Sequence, residues 1–85
     1  MSFLKKLEGK KIKLQSLDIC KQLEEDVYID KEMEKFFETG IVTIEEMDLN
    51  DFTFTIMEDS SENPDKWWFD IRWIESLISI NGIAE

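Results

Sequence analysis

The segment Gly40-Ile41-Val42-Thr43-Ile44 decides the fold class, because a helical pattern gives way there to a β pattern. The four residues after the glycine are all β-branched, and such side chains pack well on a pleated sheet. Residues 31–39 carry apolar side chains at the i, i+3, i+4 spacing of a helix: Met33, Phe36 and Phe37. Asp30 stands at the N-cap position and Gly40 at the C-terminus, so we predict a short helix over 31–39 and a strand from 41.

Alternating segments lie on both sides of this junction. Lys11-Ile12-Lys13-Leu14 alternates charged and apolar side chains, as does a strand with one buried face. After turn residues at 48–51, Phe52-Thr53-Phe54-Thr55-Ile56 alternates with its three large apolar side chains on one face. Residues 58–66 form a loop, and Trp67-Trp68-Phe69-Asp70-Ile71-Arg72-Trp73 alternates again. A second, weaker helical pattern lies over 17–25 and begins after Ser16.

Several short strands separated by turns, in a chain of 85 residues, predict one mainly β domain with short helices. The expected architecture is a small barrel or a strongly bent antiparallel sheet, since closing a sheet removes exposed strand edges. Within residues 1–85 we predict an N-terminal arm or short helix over 1–9, the barrel over 10–77 and an apolar tail over 78–85.

Composition argues against most kinds of catalysis. The chain contains no His, so it lacks a His general base, a Ser–His or Cys–His pair and a His metal ligand. Its one cysteine, Cys20, forms neither an intramolecular disulfide nor a Cys-rich zinc site, and its three glycines are too scattered for a phosphate-binding loop. We therefore predict a protein that is not an enzyme, with no catalytic residue, no cofactor and no metal.

The net charge of −10 is unevenly distributed. Residues 1–22 hold six lysines against two acids, or +4, whereas residues 23–85 hold four basic residues against 18 acids, or −14. An acidic surface repels phosphate, so we expect no membrane contact, direct nucleic-acid binding is disfavoured, and a partner with a basic surface fits better. The less specific interpretation is a self-complementary molecule whose basic first strand lies beside acidic neighbours.

Neither a membrane-spanning length of apolar residues nor the apolar core of a signal peptide is present, so we expect a cytoplasmic protein.

The aromatic segment 67–73 holds more large rings than a strand requires. Its alternation places Trp67, Phe69, Ile71 and Trp73 on a core face, and Trp68, Asp70 and Arg72 on the opposite face. An exposed Trp beside a charged pair is typical of an interface hot spot, although Trp67 and Trp68 could exchange roles. The predicted partner-binding residues are Trp68, Asp70, Arg72, Glu45, Glu46, Asp48, Asp51, Glu58 and Asp59. The apolar residues of the tail either pack on the barrel or form a homodimer contact: Leu77, Ile78, Ile80 and Ile83.

The order of the short motifs carries a resemblance over residues 10–77. The motifs are Lys11–Leu14, Met33–Phe36, Val42–Ile44, Phe54–Asp59, Trp68-Phe69 and Trp73–Glu75. In this order they resemble a family of small uncharacterised proteins of bacteriophages and the Gram-positive bacteria that host them. The resemblance implies an SH3-like barrel of phage or mobile-element origin, and it brings no known activity with it. Two features depart from the family pattern: Gly40 directly precedes the β run, and the apolar tail is longer.

These features together predict a non-enzymatic, acidic protein-binding module that inhibits or modulates a host or defence protein. One alternative is a nucleic-acid mimic or immunity-type inhibitor that occupies the basic active site of a nuclease. A second alternative is a nucleic-acid-binding accessory protein that uses the basic strand at residues 10–13. Steep weakening of binding with salt would favour the first alternative over an apolar-anchored contact.

Overall fold

The computed structural model describes residues 4–24, 27–62 and 65–78, which form a five-stranded antiparallel sheet in the order β4-β3-β2-β1-β5. The strands are β1 (Lys11–Leu14), β2 (Ile41–Asp48), β3 (Thr53–Ile56), β4 (Phe69–Asp70) and β5 (Ile74–Ile78). The α-helices are α1 (Leu17–Gln22) and α2 (Glu34–Thr39), and 3₁₀ helices lie at Leu4–Leu7, Lys31–Met33 and Ile71–Trp73. The predicted class, mainly β with short helices, is confirmed.

Strand β2 connects the two halves of the sheet. Its first residues pair with β1, with Thr43 opposite Lys11, and its second half pairs with β3. The register shifts between Ile44 and Glu46, where β2 passes from one partner to the other. Strands β4 and β5 lie at opposite ends of the order and do not pair within the described part of the chain. The sheet is therefore not closed.

The predicted helix over 31–39 has the predicted limits, and its first turn is a 3₁₀ helix. The Asp30 carboxylate accepts a hydrogen bond from the Glu32 N–H at 3.0 Å, which caps that turn. Gly40 ends the helix with φ +73°, the left-handed conformation that glycine adopts without steric cost. Helix α1 begins after Ser16 as predicted and ends at Gln22, which makes it shorter than the pattern over 17–25 indicates.

The core lies where the aromatic residues of the later strands meet the α2 helix. Phe69 is fully buried, and its ring centroid lies 5.7 Å from that of Phe54 and 5.9 Å from that of Trp73. Phe36 and Phe37 of α2 also pack on Phe69, with ring centroids 6.0 and 6.1 Å away. The prediction that Phe69 and Trp73 belong to the core is confirmed. Offset and edge-to-face rings at these distances add to the burial of apolar area.

The prediction of one alternating strand over 67–73 is wrong. Strand β4 ends at Asp70, and a 3₁₀ helix follows because the Asp70 carboxylate accepts the Arg72 N–H at 2.8 Å. This side-chain bond caps a helical turn, in competition with the backbone pairing of a strand. Asp70 is buried instead of lying on an outer face, and both Trp67 and Trp68 are half-buried.

The predicted alternation over 52–56 also fails at its first residue. Phe52 lies in the turn before β3 and is 52% exposed, while all four residues of β3 are buried. Both faces of β3 are therefore covered, so Thr53 and Thr55 are buried together with Phe54 and Ile56.

Strand β5 continues to Ile78, one residue into the segment assigned to the tail, and Ile78 pairs with Lys11. Leu77 is 41% exposed, and Ile80 and Ile83 lie outside the described residues. Every helix in the described ranges is too short or too polar to cross a membrane.

Candidate functional site

A cleft of about 840 Å³ opens on the surface where the turn between β2 and β3 faces the segment after α1 and the segment before β4. Its lining includes four aromatic and two acidic side chains: Tyr28, Phe52, Trp67, Trp68, Asp48 and Asp51. Met33, which is 1% exposed, and the buried Thr53 also line the cleft. A cleft of this volume is in the range that proteins use for ligands or short peptide segments.

The acidic wall comes from the turn between β2 and β3. Asp48 Oδ1 accepts hydrogen bonds from the Asn50 N–H at 2.8 Å and the Asp51 N–H at 3.3 Å, and so closes the turn. Asp51 is exposed at the tip. The next residue, Phe52, has φ +57°, and its carbonyl accepts the Ile71 N–H at 3.1 Å. These bonds fix the turn and present the Phe52 ring at the edge of the cleft.

Tyr28 belongs to the connection between α1 and the 3₁₀ helix at Lys31–Met33. Glu24 accepts the Ile29 N–H at 2.8 Å, and the Asp30 carboxylate accepts the Glu32 N–H at 3.0 Å, so side-chain acceptors hold the backbone that follows Tyr28. The Tyr28 side chain itself is among the exposed large apolar groups, with 67% of the residue accessible. Tyr28 therefore lines the cleft directly before a segment whose backbone is held by hydrogen bonds.

The two tryptophans are positioned by the loop after β3. The buried Asp59 carboxylate accepts the Trp67 N–H at 2.8 Å and the Ser61 N–H at 2.9 Å. Lys66 Nζ donates to the Asp59 carbonyl at 2.8 Å and pairs with Glu45 at 2.8 Å. These bonds fix the position of Trp67. The residue lines both this cleft and a smaller neighbouring cleft of about 340 Å³.

Burial of the Asp59 carboxyl acts to raise its pKa, but the hydrogen bonds from Trp67 and Ser61 and the charge of Lys66 outweigh burial and lower the pKa below the ordinary value. Because the folded-state pKa is lowered, Asp59 stabilises the fold above its ordinary pKa of 3.8 and loses that contribution as the pH falls below it. Its ionised form is therefore the one that fixes Trp67.

We expect Asp59→Asn to lower the free energy of unfolding at pH 7 by about 1–3 kcal/mol, because buried backbone donors lose a charged acceptor. The difference from the parent protein should shrink as the pH falls from 5 towards 2.5. Urea denaturation at several pH values measures it, with the exposed Glu38→Gln as a control of equal charge change. A difference that stays constant over this pH range would contradict the assignment.

The cleft brings together three of the nine partner-binding residues predicted from the sequence: Asp48, Asp51 and Trp68. Asp59 and Asp70 are 4% and 7% exposed, and their carboxylates accept hydrogen bonds within the chain. We therefore assign these two acids a structural role.

The other four predicted residues lie outside the cleft lining. Arg72 pairs with Asp70 at 2.8 Å and donates to the Leu23 carbonyl at 2.9 Å. Glu58 accepts the Thr43 N–H at 2.8 Å beside the register shift of β2, and Glu45 pairs with Lys66. Glu46 is exposed on β2.

The sequence reasoning missed Tyr28 and Phe52, and it assigned Trp67 and Trp68 to opposite faces. The sequence gives no periodic signal for Tyr28, and its alternation puts Phe52 on one face of a strand with Phe54 and Ile56. A local signal for Phe52 is its place directly after the Asp48–Asp51 turn, since turn residues place the next side chain near the surface.

The side chains of the described residues are suited to binding a ligand. Burial raises the pKa of the Cys20 thiol to about 11, with a further contribution from the nearby Asp70 charge, so the thiol is protonated at neutral pH. In the described ranges, no three His, Cys, Asp or Glu side chains are grouped to hold a metal ion. Aromatic faces and carboxylates, by contrast, are suited to bind apolar and cationic groups.

Comparison with protein-family models, with curated proteins and with solved structures finds no match to this chain. The resemblance to the phage-associated family therefore depends on the order of its sequence motifs alone.

Proposed function

We propose that the chain is a non-enzymatic protein-binding module that takes a basic segment of its partner into the aromatic cleft. The observation that carries this proposal is the cleft itself, in which four aromatic side chains lie next to two acids. Trp, Tyr and Phe are enriched at protein interfaces, because rigid rings bury a large area at low entropic cost.

The charge distribution supports a protein partner over a nucleic acid. Three lysines of the basic N-terminal segment are paired with acids: Lys5 with Glu8, Lys13 with Glu75, and Lys21 with Glu34, at 2.9, 3.8 and 3.4 Å. These pairs reduce the positive charge available to phosphate groups. The −14 carried by residues 23–85 would attract a basic surface and accelerate the encounter.

The wider role, inhibition or modulation of a host or defence protein in the cytoplasm, is part of the proposal through the sequence resemblance. The SH3-like barrel likewise stays a proposal, supported by five short antiparallel strands and by β2, which takes part in both halves of the sheet. The nuclease-inhibitor alternative would use the acidic surface more broadly than the cleft.

We expect Trp68→Ala to lose at least tenfold in affinity for the partner, because it removes one aromatic wall of the cleft. Affinity capture from a host lysate with the tagged chain identifies the partner, and calorimetry with the purified partner measures the change. Met57→Ala is the matched control, since Met57 is 55% exposed and lies outside the cleft lining.

Equal binding by the parent protein and Trp68→Ala would contradict the cleft as the contact site. Asp51→Asn provides a second variant, because Asp51 is exposed and its change should leave the fold intact. The nuclease-inhibitor alternative would instead be supported by two results together. The affinity would fall by several orders of magnitude between 50 and 500 mM salt, and Trp68→Ala would bind as tightly as the parent protein.

A further inference from the structure

We infer that the cleft recognises an arginine side chain in the partner segment, with its guanidinium stacked on the aromatic walls and paired with the acids of the β2–β3 turn. This inference rests on the proposed protein-binding function and specifies the chemistry of the group that is bound. It follows from the charge, the rings and the backbone conformation of the cleft.

The charged residues among the described ones that line the cleft are both acidic. They are Asp48 and Asp51, and none of the described lining residues is a Lys or Arg. One oxygen of Asp48 already accepts two backbone N–H groups, whereas Asp51 is exposed beside it. A cationic ligand would therefore gain the exposed Asp51 carboxylate as a partner.

The aromatic walls favour arginine among the cations that a protein can present. Tyr28, Phe52, Trp67 and Trp68 line the cleft, and the faces of aromatic rings attract cations through their quadrupoles. The guanidinium of arginine is planar and weakly hydrated, so it stacks on such faces and still directs its N–H groups at a carboxylate. The lysine ammonium is compact and strongly hydrated, and it loses more hydration on entering the cleft.

The backbone at Phe52 supports a binding role for that ring. A bulky residue at φ +57° is strained relative to a relaxed conformation, and Asn or Gly would fit there with less strain. Phe52 is 52% exposed, so burial in the core does not account for the choice of a phenyl ring. The strained turn instead places the ring at the edge of the cleft, next to Asp51.

The neighbouring cleft provides an internal contrast. It shares the Trp67 wall, but Lys31 and Lys35 lie in its lining together with Phe36. Lys35 Nζ already lies 5.2 Å from the centre of the Phe36 ring, so a cation of the chain occupies that aromatic face. The larger cleft is therefore the one that is suited to a cation from a partner.

Peptides of one sequence that differ at one central residue test the inference. The probes are the capped peptides Gly-Ala-Xaa-Ala-Gly, where Xaa is arginine, lysine, citrulline or norleucine, and binding is measured by calorimetry at low salt. Citrulline has almost the shape of arginine without its charge. We expect the arginine peptide to bind at least tenfold more tightly than the citrulline peptide and more tightly than the lysine peptide.

Variants assign the effect to the cleft. Asp51→Asn should weaken binding of the arginine peptide at least threefold and leave the citrulline peptide unchanged, whereas Glu46→Gln, an exposed acid outside the cleft lining, should change neither. Equal affinities for arginine and citrulline, no binding of the arginine peptide at millimolar concentration, or equal effects of both variants would overturn the inference. If Trp68→Ala still weakens partner binding in that event, the proposed function stands and only the arginine assignment fails.

Discussion

Trp73→Ala should lower the free energy of unfolding by about 3–5 kcal/mol, the range for a large aromatic side chain removed from a packed core. Trp73 is 0% exposed, and its ring lies 5.9 Å from Phe69 and 6.1 Å from Phe37. A domain of this size has about 4–13 kcal/mol of stability in total, so the variant should lose a large share of it. Urea denaturation and near-UV circular dichroism measure the loss.

Trp73→Phe is the control for this prediction. The Trp73 Nε1–H is buried without a hydrogen-bond partner among the described residues, so replacing the indole removes no such bond. The phenyl ring also fills most of the space, and we expect a cost of about 1–2 kcal/mol. If Trp73→Phe were as destabilising as Trp73→Ala, an aromatic ring at this position would not be what stabilises the core.

Phe52→Asn should separate binding from stability. Asparagine adopts the left-handed conformation at φ +57° with less strain than phenylalanine, and this gain offsets the lost contacts of a half-exposed ring. We expect the free energy of unfolding to change by less than about 1 kcal/mol, because the two effects oppose each other. Affinity for the arginine peptide and for the partner should fall at least tenfold, since the ring is part of the cleft.

Met57→Asn is the matched control for Phe52→Asn, because Met57 is similarly exposed and does not line the cleft. It should leave binding unchanged. A cost of 3 kcal/mol or more for Phe52→Asn, on the order of a large core truncation, would show that Phe52 packs as a core residue. Unchanged affinity would remove Phe52 from the binding site.

The elements that the sequence predicts well are those whose signals are local. Asp30 and Gly40 define the helix over 31–39 through bonds and dihedral angles of their own neighbourhood. Strand β1 follows from the alternation of Lys11 to Leu14, because β1 has one buried face, with Ile12 and Leu14 inside.

The elements that the sequence mispredicts are those in which a side chain accepts a backbone hydrogen bond. Asp70 interrupts the expected strand by accepting the Arg72 N–H, and alternation of apolar residues cannot show such a bond. The sequence likewise treats every acid as a surface residue, whereas Asp59 and Asp70 act as buried acceptors. Counting acids therefore overestimates the acidic surface that is available to a partner.

The candidate site could be predicted only in part. The sequence predicts Asp48, Asp51 and Trp68 as contact residues, with Trp67 as the alternative to Trp68, because exposed tryptophans beside charged groups are typical of interfaces. Their convergence with Tyr28 depends on where the segment after α1 lies against the sheet. Residues about 20 to 40 positions apart in the chain carry no shared periodicity, so no pattern in the sequence links them.

The indole N–H resonances of the three tryptophans test the central claim most directly. In a ¹⁵N-labelled sample titrated with the arginine peptide, the signals of Trp67 and Trp68, which line the cleft, should shift progressively. The signal of Trp73, buried in the core, should stay in place and serve as the internal reference. Binding that leaves the Trp67 and Trp68 signals unmoved, or that moves all three equally, would contradict the account.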